Sequence, residues 1–347
     1  MMEQSVLSIR QLSVELETSA APVRLVHEAS LELVANSTTC LVGESGSGKS
    51  VTALAVMALL PAHIRVSEGG IWLGDRDLAR ASESEMRAIR GSAIGLVAQD
   101  PMTTLDPLVT IGVQVADAVR AHDRKASRKA VRARVVELLR SVRITSPELA
   151  FSRYPHQYSG GMRQRVCIAM AVANHPRVII ADEPTTALDV TVQAQVLDLL
   201  DEIKQRTGAA ILLITHDLGV VAERADQVAV MYAGRVVECG DVRTVFGEPR
   251  HPYTIALLGC SASAGSVGVN MAGIPGQAAR PDALPAGCAF HPRCPLAADH
   301  SRCRQERPDL LSVGAAGTHR SACHRLDEVP TLAPRPDAPV VPEVNHV

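Results

Sequence analysis

The chain has very little aromatic character. Phe, Trp and Tyr make up 2% of its 347 residues, so aliphatic side chains must do most of the packing. None of the three occurs before residue 50. An excess of charge is also missing: the formal net charge is −2, which gives no global pull toward nucleic acid. The longest apolar run, Val51 to Leu60, is about half of the ~20 residues a membrane-spanning helix needs. The opening residues, Met1-Met2-Glu3-Gln4, lack the charged-then-apolar pattern of a signal peptide. These absences predict a soluble, cytosolic protein that reaches a membrane only through a partner. No internal repeat is visible.

What is present suits a sizeable core. Apolar residues are 46% of the chain, and its length allows two domains or one large domain with an appendage. The cysteines are unevenly placed. Cys40, Cys167, Cys239 and Cys260 sit in apolar settings and read as buried small hydrophobes. Cys288, Cys294, Cys303 and Cys323 cluster in one polar stretch, which in a reducing compartment suggests a metal site more than disulfides.

Strands are predicted around Val6–Ile9, Leu31–Leu33, Ile71–Leu73 and Ile94–Ala98. Residues 111–143 carry apolar positions at helical spacing, and their many Arg and Lys side chains read as a solvated face. Beyond residue 176 the pattern is strand (177–181), amphipathic helix (190–206, ending at Gly208), strand (211–215), which implies a largely parallel sheet covered by helices. Gln227–Tyr232 and Arg235–Glu238, joined by Ala233-Gly234, read as a hairpin. Residues 261–287 read as a linker, and the chain from 326 as a disordered tail.

Chemistry enters at residues 43–50, Gly43-Glu44-Ser45-Gly46-Ser47-Gly48-Lys49-Ser50, a complete G-x-x-x-x-G-K-[ST] phosphate loop followed by Val51. The run Thr39–Val42 before it and the apolar run after it supply the strand–loop–helix context the motif requires. Backbone N–H groups of such a loop wrap a polyphosphate, and the helix N-terminus adds partial positive charge. Lys49 would reach the outer phosphates and Ser50 would offer its hydroxyl to Mg²⁺. A second element is the apolar run Val178–Ala181 ending in Asp182-Glu183-Pro184. Asp182 would hold Mg²⁺, and Glu183 would orient and deprotonate the water attacking the γ-phosphate. The third is Tyr158-Ser159-Gly160-Gly161-Met162-Arg163-Gln164, where Ser159 is a good helix N-cap and the glycines bare the backbone. One chain has little use for two phosphate cradles, so this one is expected to meet a nucleotide held by a second subunit.

With these motifs in order, the chain resembles the ATP-binding-cassette (ABC) ATPases over residues 1 to about 250. The resemblance implies an α/β P-loop NTPase fold: a RecA-like, mostly parallel sheet, an antiparallel β subdomain, and a helical subdomain over about 100–175. Ser159-Gly160-Gly161 matches the family signature, with Tyr158 and Met162 replacing its usual Leu and Gln. Gln99 matches the glutamine-loop residue, implied to touch Mg²⁺ and the attacking water and to face a membrane partner. Ala187-Leu188-Asp189 matches the loop between paired cassettes, and His216 the switch histidine that meets the γ-phosphate. The family's usual adenine-stacking aromatic is missing, so a residue near Val23, or Arg24, is expected to cover the base. Weaker base discrimination should follow.

A finer similarity lies outside that core. Gln99-Asp100-Pro101-Met102-Thr103-Thr104-Leu105-Asp106-Pro107, His251-Pro252-Tyr253-Thr254 and the cysteine segment from Cys288 resemble the oligopeptide/dipeptide importer branch. The implied organisation is an ATPase domain over 1–250, a C-terminal extension with a four-cysteine metal site over 251–325, and a tail over 326–347. The cysteines are spaced x5, x8 and x19, without the C-x₂₋₄-C pair common in structural zinc sites. Widely spread thiolates suit a [4Fe–4S] cluster, toward which the resemblance also points. Zinc, with or without His291 or His324, and no metal at all are the alternatives. The resemblance implies an ATP- and Mg²⁺-dependent energy-coupling subunit, peripheral at the cytoplasmic face of the cell membrane. Its expected partners are a second, homologous non-identical ABC ATPase, two transmembrane permeases and, indirectly, an extracellular solute-binding protein, without nucleic acid. The rival readings are a nickel or metal-chelate importer ATPase and a soluble ABC ATPase acting on ribosomes or DNA.

Overall fold

The computed structural model describes residues 5–186, 188–264, 274–298, 300–314 and 317–332. The strands are β1 (Ser5–Leu16), β2 (Val23–Val34), β3 (Thr38–Val42), β4 (Ile64–Leu73), β5 (Arg76–Asp77), β6 (Ile94–Val97), β7 (Val178–Asp182), β8 (Ala210–Ile214), β9 (Gln227–Tyr232), β10 (Arg235–Asp241), β11 (Leu311–Ser312) and β12 (Arg320–Ser321). The helices are α1 (Lys49–Val56), α2 (Glu83–Ile89), α3 (Pro101–Thr104), α4 (Ile111–Arg120), α5 (Arg128–Ser141), α6 (Pro147–Ala150), α7 (Gly160–Ala171), α8 (Val190–Thr207), α9 (Leu218–Arg224), α10 (Val242–Gly247), α11 (Pro252–Ala264) and α12 (Ser301–Gln305). These fall into two compact units, one built on Trp72–Ile214 with Glu32–Thr38, the other on Ile9–Leu31, Thr39–Ile71 and the chain from Thr215.

In the first unit β6, β7 and β8 are parallel, with Ile94 opposite Val178 and Val178 opposite Ala210. Their side chains are buried on both faces: Ile179, Ile180 and Leu212 are fully inaccessible. That two-sided burial is why these segments read as continuous apolar runs and not as alternation. The longer helices of this unit, α5, α7 and α8, start at side-chain caps. Ser127 accepts from Ala130 N–H at the head of α5, Ser159 from Met162 N–H at α7, and Asp189 from Val192 N–H at α8. Helix α8 ends at Gly208, whose φ of 70° supplies the left-handed C-cap. The single helical stretch expected over 111–143 is two helices, because α4 stops at Arg120 and the next starts at the Ser127 cap. Their inward residues, Val115, Val119, Val131, Val135 and Leu139, are buried.

In the second unit β3 runs parallel to β9 (Cys40 opposite Val228), and β9 turns into β10 as the expected antiparallel hairpin. Strand β12 continues antiparallel on β10, with Ser321 opposite Glu238, and β11 pairs with β12. Strands β2, β1 and β4 lie side by side in that order. The C-terminal residues thus extend the sheet, because β12 supplies hydrogen-bond partners for the free edge of β10. Of the expected linker, residues 261–264 close α11, 265–273 lie outside the described residues, and 274–287 are irregular apart from a turn at Pro281–Ala283. Of the expected tail, residues 326–332 are described. They end in a helical turn, Val329–Leu332, in which Val329 is fully buried. Residues 333–347 lie outside the described residues. No helix among the described residues is long and apolar enough to cross a membrane.

Candidate functional site

The phosphate loop stands where the sequence puts it, between β3 and α1, in the second unit. Gly43 has φ 152°, and a Cβ there would stand 2.1 Å from the Met231 carbonyl oxygen, so no side chain fits. Gly48, at φ 103°, caps α1. That first turn holds no acidic side chain to offset the partial positive charge of the helix end. Lys49 is 6% exposed, and its ammonium donates to Gly43 O (2.8 Å), Glu44 O (2.9 Å) and Ser47 Oγ (3.4 Å). The amine therefore lies folded across its own loop, where it holds the carbonyls. Ser45, Gly46 and Ser50 are exposed, and Val51 is half-buried. His216, also exposed, follows Thr215, whose N–H donates to Leu41 O (3.4 Å) on the strand that feeds the loop.

The carboxylates and the signature lie in the first unit. Asp182 closes β7 opposite Ile214. Glu183 is turned out of the strand at φ 45°, a left-handed conformation costly for a side chain with a Cβ. Its N–H donates to Ile214 O, and its Oε2 accepts from Gln99 Nε2 (3.1 Å) and Thr186 Oγ1 (2.9 Å). Gln99 and Glu183, 84 residues apart, are thus brought into direct contact. Ser159 caps α7, and a Cβ on Gly161 would stand 2.3 Å from Val192 Cγ1, so only glycine lets α7 approach α8. Gly160 faces Leu188, whose neighbour Asp189 caps α8; Ala187 lies outside the described residues. A cavity of about 930 Å³ in this unit, lined among others by Arg134, His175, Arg177 and Arg206, contains none of these residues.

Three features were not read from the sequence. Arg24, a candidate to cover the base, is clamped by Glu15 and Glu68, each at 3.1 Å. Tyr253 and Arg293 both contact Glu44 of the phosphate loop, across 209 and 249 residues of chain. Glu238, fully buried, accepts from the N–H groups of Arg250 and His251 and from His319.

The clustered cysteines share one small cavity lined by Cys288, Cys294, Cys303 and Cys323 with Phe290 and Leu296. Cys288 N–H donates to Cys303 O (2.9 Å), which ties two of the segments together. All four are free thiols. Burial pushes each thiol up, Cys288 to about 11 and Cys323 to about 12. No group of three or more His, Cys, Asp or Glu side chains among the described residues is arranged to hold a metal ion. His291 and His324, the alternative zinc ligands, each spend a ring nitrogen on a backbone carbonyl, of Cys288 and Glu306. Cys40 and Cys167 are buried as expected, whereas Cys239 and Cys260 are half-buried.

Comparison with known proteins places this geometry. Residues 26–186 match the family described as ABC transporter, and residues 237–303 match the oligopeptide/dipeptide transporter C-terminal region. The chain is 44% identical over 331 residues to the dipeptide transport ATP-binding protein of Escherichia coli strain K12, covering 94% of this chain and 100% of that protein. It is 46% identical over 324 residues to the oligopeptide transport ATP-binding protein of Mycobacterium tuberculosis strain H37Rv, covering 93% of this chain and 52% of the relative, so it spans about half that protein's length. The solved structure of the ATP-binding cassette MJ0796, dimeric in a post-hydrolysis state with ADP and Pi, matches at TM-score 0.62 and 26% identity over 68% of this chain and 99% of that one. With its P-loop fold of mixed α/β sheets, the chain belongs to the ABC transporter family and carries that family's oligopeptide/dipeptide transporter C-terminal region.

Proposed function

We propose that the chain is the ATP-hydrolysing, energy-coupling subunit of an ABC importer for di- and oligopeptides, working at the cytoplasmic face of the membrane. The observation that carries the ATP reading is the phosphate loop, with Lys49 folded onto its own carbonyls at the head of an uncompensated helix N-terminus. On binding, Lys49 exchanges these carbonyls for the outer phosphates, and the amides of residues 43–51 receive the remaining oxygens. Ser50, Asp182 and Gln99 would hold Mg²⁺, directly or through water. Glu183 is the base, Gln99 orients the same water, and His216 meets the γ-phosphate. Ser159, Gly160 and Gly161 act in trans, on nucleotide held by a second, homologous ATPase subunit. Two permeases receive the motion near Gln99, and a solute-binding protein outside delivers the peptide. The relatives' names and the matched C-terminal region favour peptides over nickel or metal chelates.

Cys288, Cys294, Cys303 and Cys323 would hold a [4Fe–4S] cluster. Support comes from their lining one cavity, which Phe290, Leu296, His291 and His324 also line. When bound, the group supplies cross-linking of the extension; phosphoryl transfer needs no redox centre.

The test is a pair of measurements on the protein purified anaerobically with its membrane partners. Glu183→Gln should still bind ATP, because a Gln carbonyl can accept from Gln99 and Thr186 as the carboxylate does. It should lose roughly 10²- to 10⁴-fold in turnover. Normal hydrolysis by that variant would refute the base assignment. Iron and acid-labile sulfide near four per chain are expected; stoichiometric zinc without iron would end the cluster proposal.

A further inference from the structure

The phosphate loop contains a carboxylate of its own, Glu44, between Gly43 and Ser45. A fixed negative charge inside a polyphosphate cradle opposes the ligand unless something neutralises it, because like charges held close in a partly dry site repel strongly. The C-terminal extension supplies the counter-charge. The Arg293 guanidinium meets the carboxylate edge-on, Nη1 to Oε2 at 2.6 Å and Nη2 to Oε1 at 3.0 Å. This two-point fork fixes both groups in one plane.

Arg293 is committed to the task. Its side chain is 3% exposed, against 26% for Glu44. Its remaining donors go to Pro275 O (3.0 Å), Ile274 O (2.9 Å) and the Tyr232 hydroxyl (3.4 Å). Its position is set by a packed aromatic group: Tyr232 and Tyr253 have ring centroids 4.6 Å apart, and Phe290 stands 5.3 and 5.4 Å from them. A second contact holds the backbone of the same loop residue. The Tyr253 hydroxyl accepts from Glu44 N–H at 2.8 Å. Residue 44 is therefore gripped at its side chain and its main chain by two residues that lie beyond the ATPase core in sequence.

We propose that Arg293 is a positioning residue for nucleotide binding: acting through Glu44, it cancels the loop's own negative charge and sets the loop's conformation for the incoming triphosphate. This inference rests on the reading of residues 43–50 as an ATP site. It assigns the extension a role in the ATP cycle that does not depend on what the cysteines hold. The role is electrostatic, so the effect of losing Arg293 grows with the number of phosphates on the ligand. A purely mechanical brace has no such dependence.

The experiment uses the full-length chain and equilibrium titration with fluorescent ATP, ADP and AMP analogues. Arg293→Ala should weaken ATP binding roughly tenfold or more, ADP less and AMP least. Arg293→Lys, which keeps the charge but not the fork, should fall between the wild type and Arg293→Ala. Adding Glu44→Gln to Arg293→Ala should recover most of the lost ATP affinity, since the uncancelled charge is then gone. Equal losses for all three nucleotides, or a double variant no better than Arg293→Ala, would overturn the inference, as would unchanged ATP affinity in Arg293→Ala. Failure of the wild-type chain itself to bind ATP would instead overturn the nucleotide site on which the inference rests.

Discussion

Removing the carboxylate of Glu238 should release the C-terminal extension from the sheet. Glu238 is fully inaccessible and sits on β10 beside a bulge, where the register shifts between Val236 and Glu238. Its Oε1 accepts from Arg250 N–H and from His319 Nε2 (2.8 Å), and its Oε2 from His251 N–H (3.0 Å). Glu238→Leu keeps the bulk and deletes every acceptor. Each orphaned backbone N–H then costs about 1–3 kcal/mol, and the stranded imidazole adds a similar amount. The sum is about 3–9 kcal/mol, or at least a roughly hundredfold rise in the open population of the segment. Glu238→Gln keeps one acceptor and should cost about 1–2 kcal/mol. A global melting temperature is the wrong readout for a chain of two units, because two-state behaviour is not assured. Hydrogen exchange resolves the segment directly. The amides of Arg250, His251 and Ala322, the last of which donates to Val237 O (2.8 Å), should exchange far faster in Glu238→Leu, with Glu238→Gln between. Exchange within about threefold of wild type at these amides, with the leucine in place, would refute the assignment of Glu238 as the anchor.

Two more outcomes follow from burial. Burial holds His27 neutral, at about 4, and His251 likewise, at about 3, both well below the ordinary 6.5. The unfolded chain therefore binds more protons between pH 6.5 and these values, and the second unit should lose about 1.4 kcal/mol per histidine for each pH unit of acidification below 6.5. Denaturant dependence of hydrogen exchange at second-unit amides, compared at pH 7 and pH 5 after correction for intrinsic exchange, should differ by about 2 kcal/mol per histidine. A His27→Gln variant with the same pH slope would count against this account. In the signature helix, Gly161→Ala places a methyl 2.3 Å from Val192 Cγ1, a β-branched side chain with little rotamer freedom. It should cost about 1–3 kcal/mol and slow turnover. Val192→Ala should relieve the strain, and failure of that second substitution to restore stability would place the cause elsewhere.

The parts of the site that were legible in the sequence are those whose physics is local. A phosphate loop needs its glycines, lysine and serine within eight consecutive residues, and Gly43 and Gly48 take the positive φ values the motif implies. The strand before Glu183 was readable because both its faces are buried. The Ser159 cap was readable because capping is a contact within one turn. The division of residues 111–143 was not, because neither Asp123 nor Ser127 announces which of them will start a helix. Strand β4 begins at Ile64, earlier than the apolar triplet Ile71–Leu73 suggests, because its first half, with exposed Arg65 and Glu68, is held by pairing with distant residues. Ser67 Oγ, for instance, donates to Ser13 O.

The same distinction explains why the extension looked like an appendage. Its anchors join residues that no sequence window spans: Glu44 with Tyr253 and Arg293, and Glu238 with His319. Each partner taken alone has an ordinary reading: an acidic residue in a loop, an arginine beside a cysteine, a glutamate in a strand. Only pairing changes the reading, because a buried charge without its counter-charge costs several kcal/mol. Arg293 at 3% exposure and Glu238 at 0% could not persist unless their partners were in place. In the second unit the nucleotide loop and the extension therefore form one electrostatic assembly. Glu238 orders the start of α11, α11 presents Tyr253, and Tyr253 meets the loop where Arg293 already holds it. A chain built this way would have its ATP affinity set partly by residues after the cassette, so exchanging that extension between relatives should alter nucleotide binding even though every phosphate-loop residue stays the same.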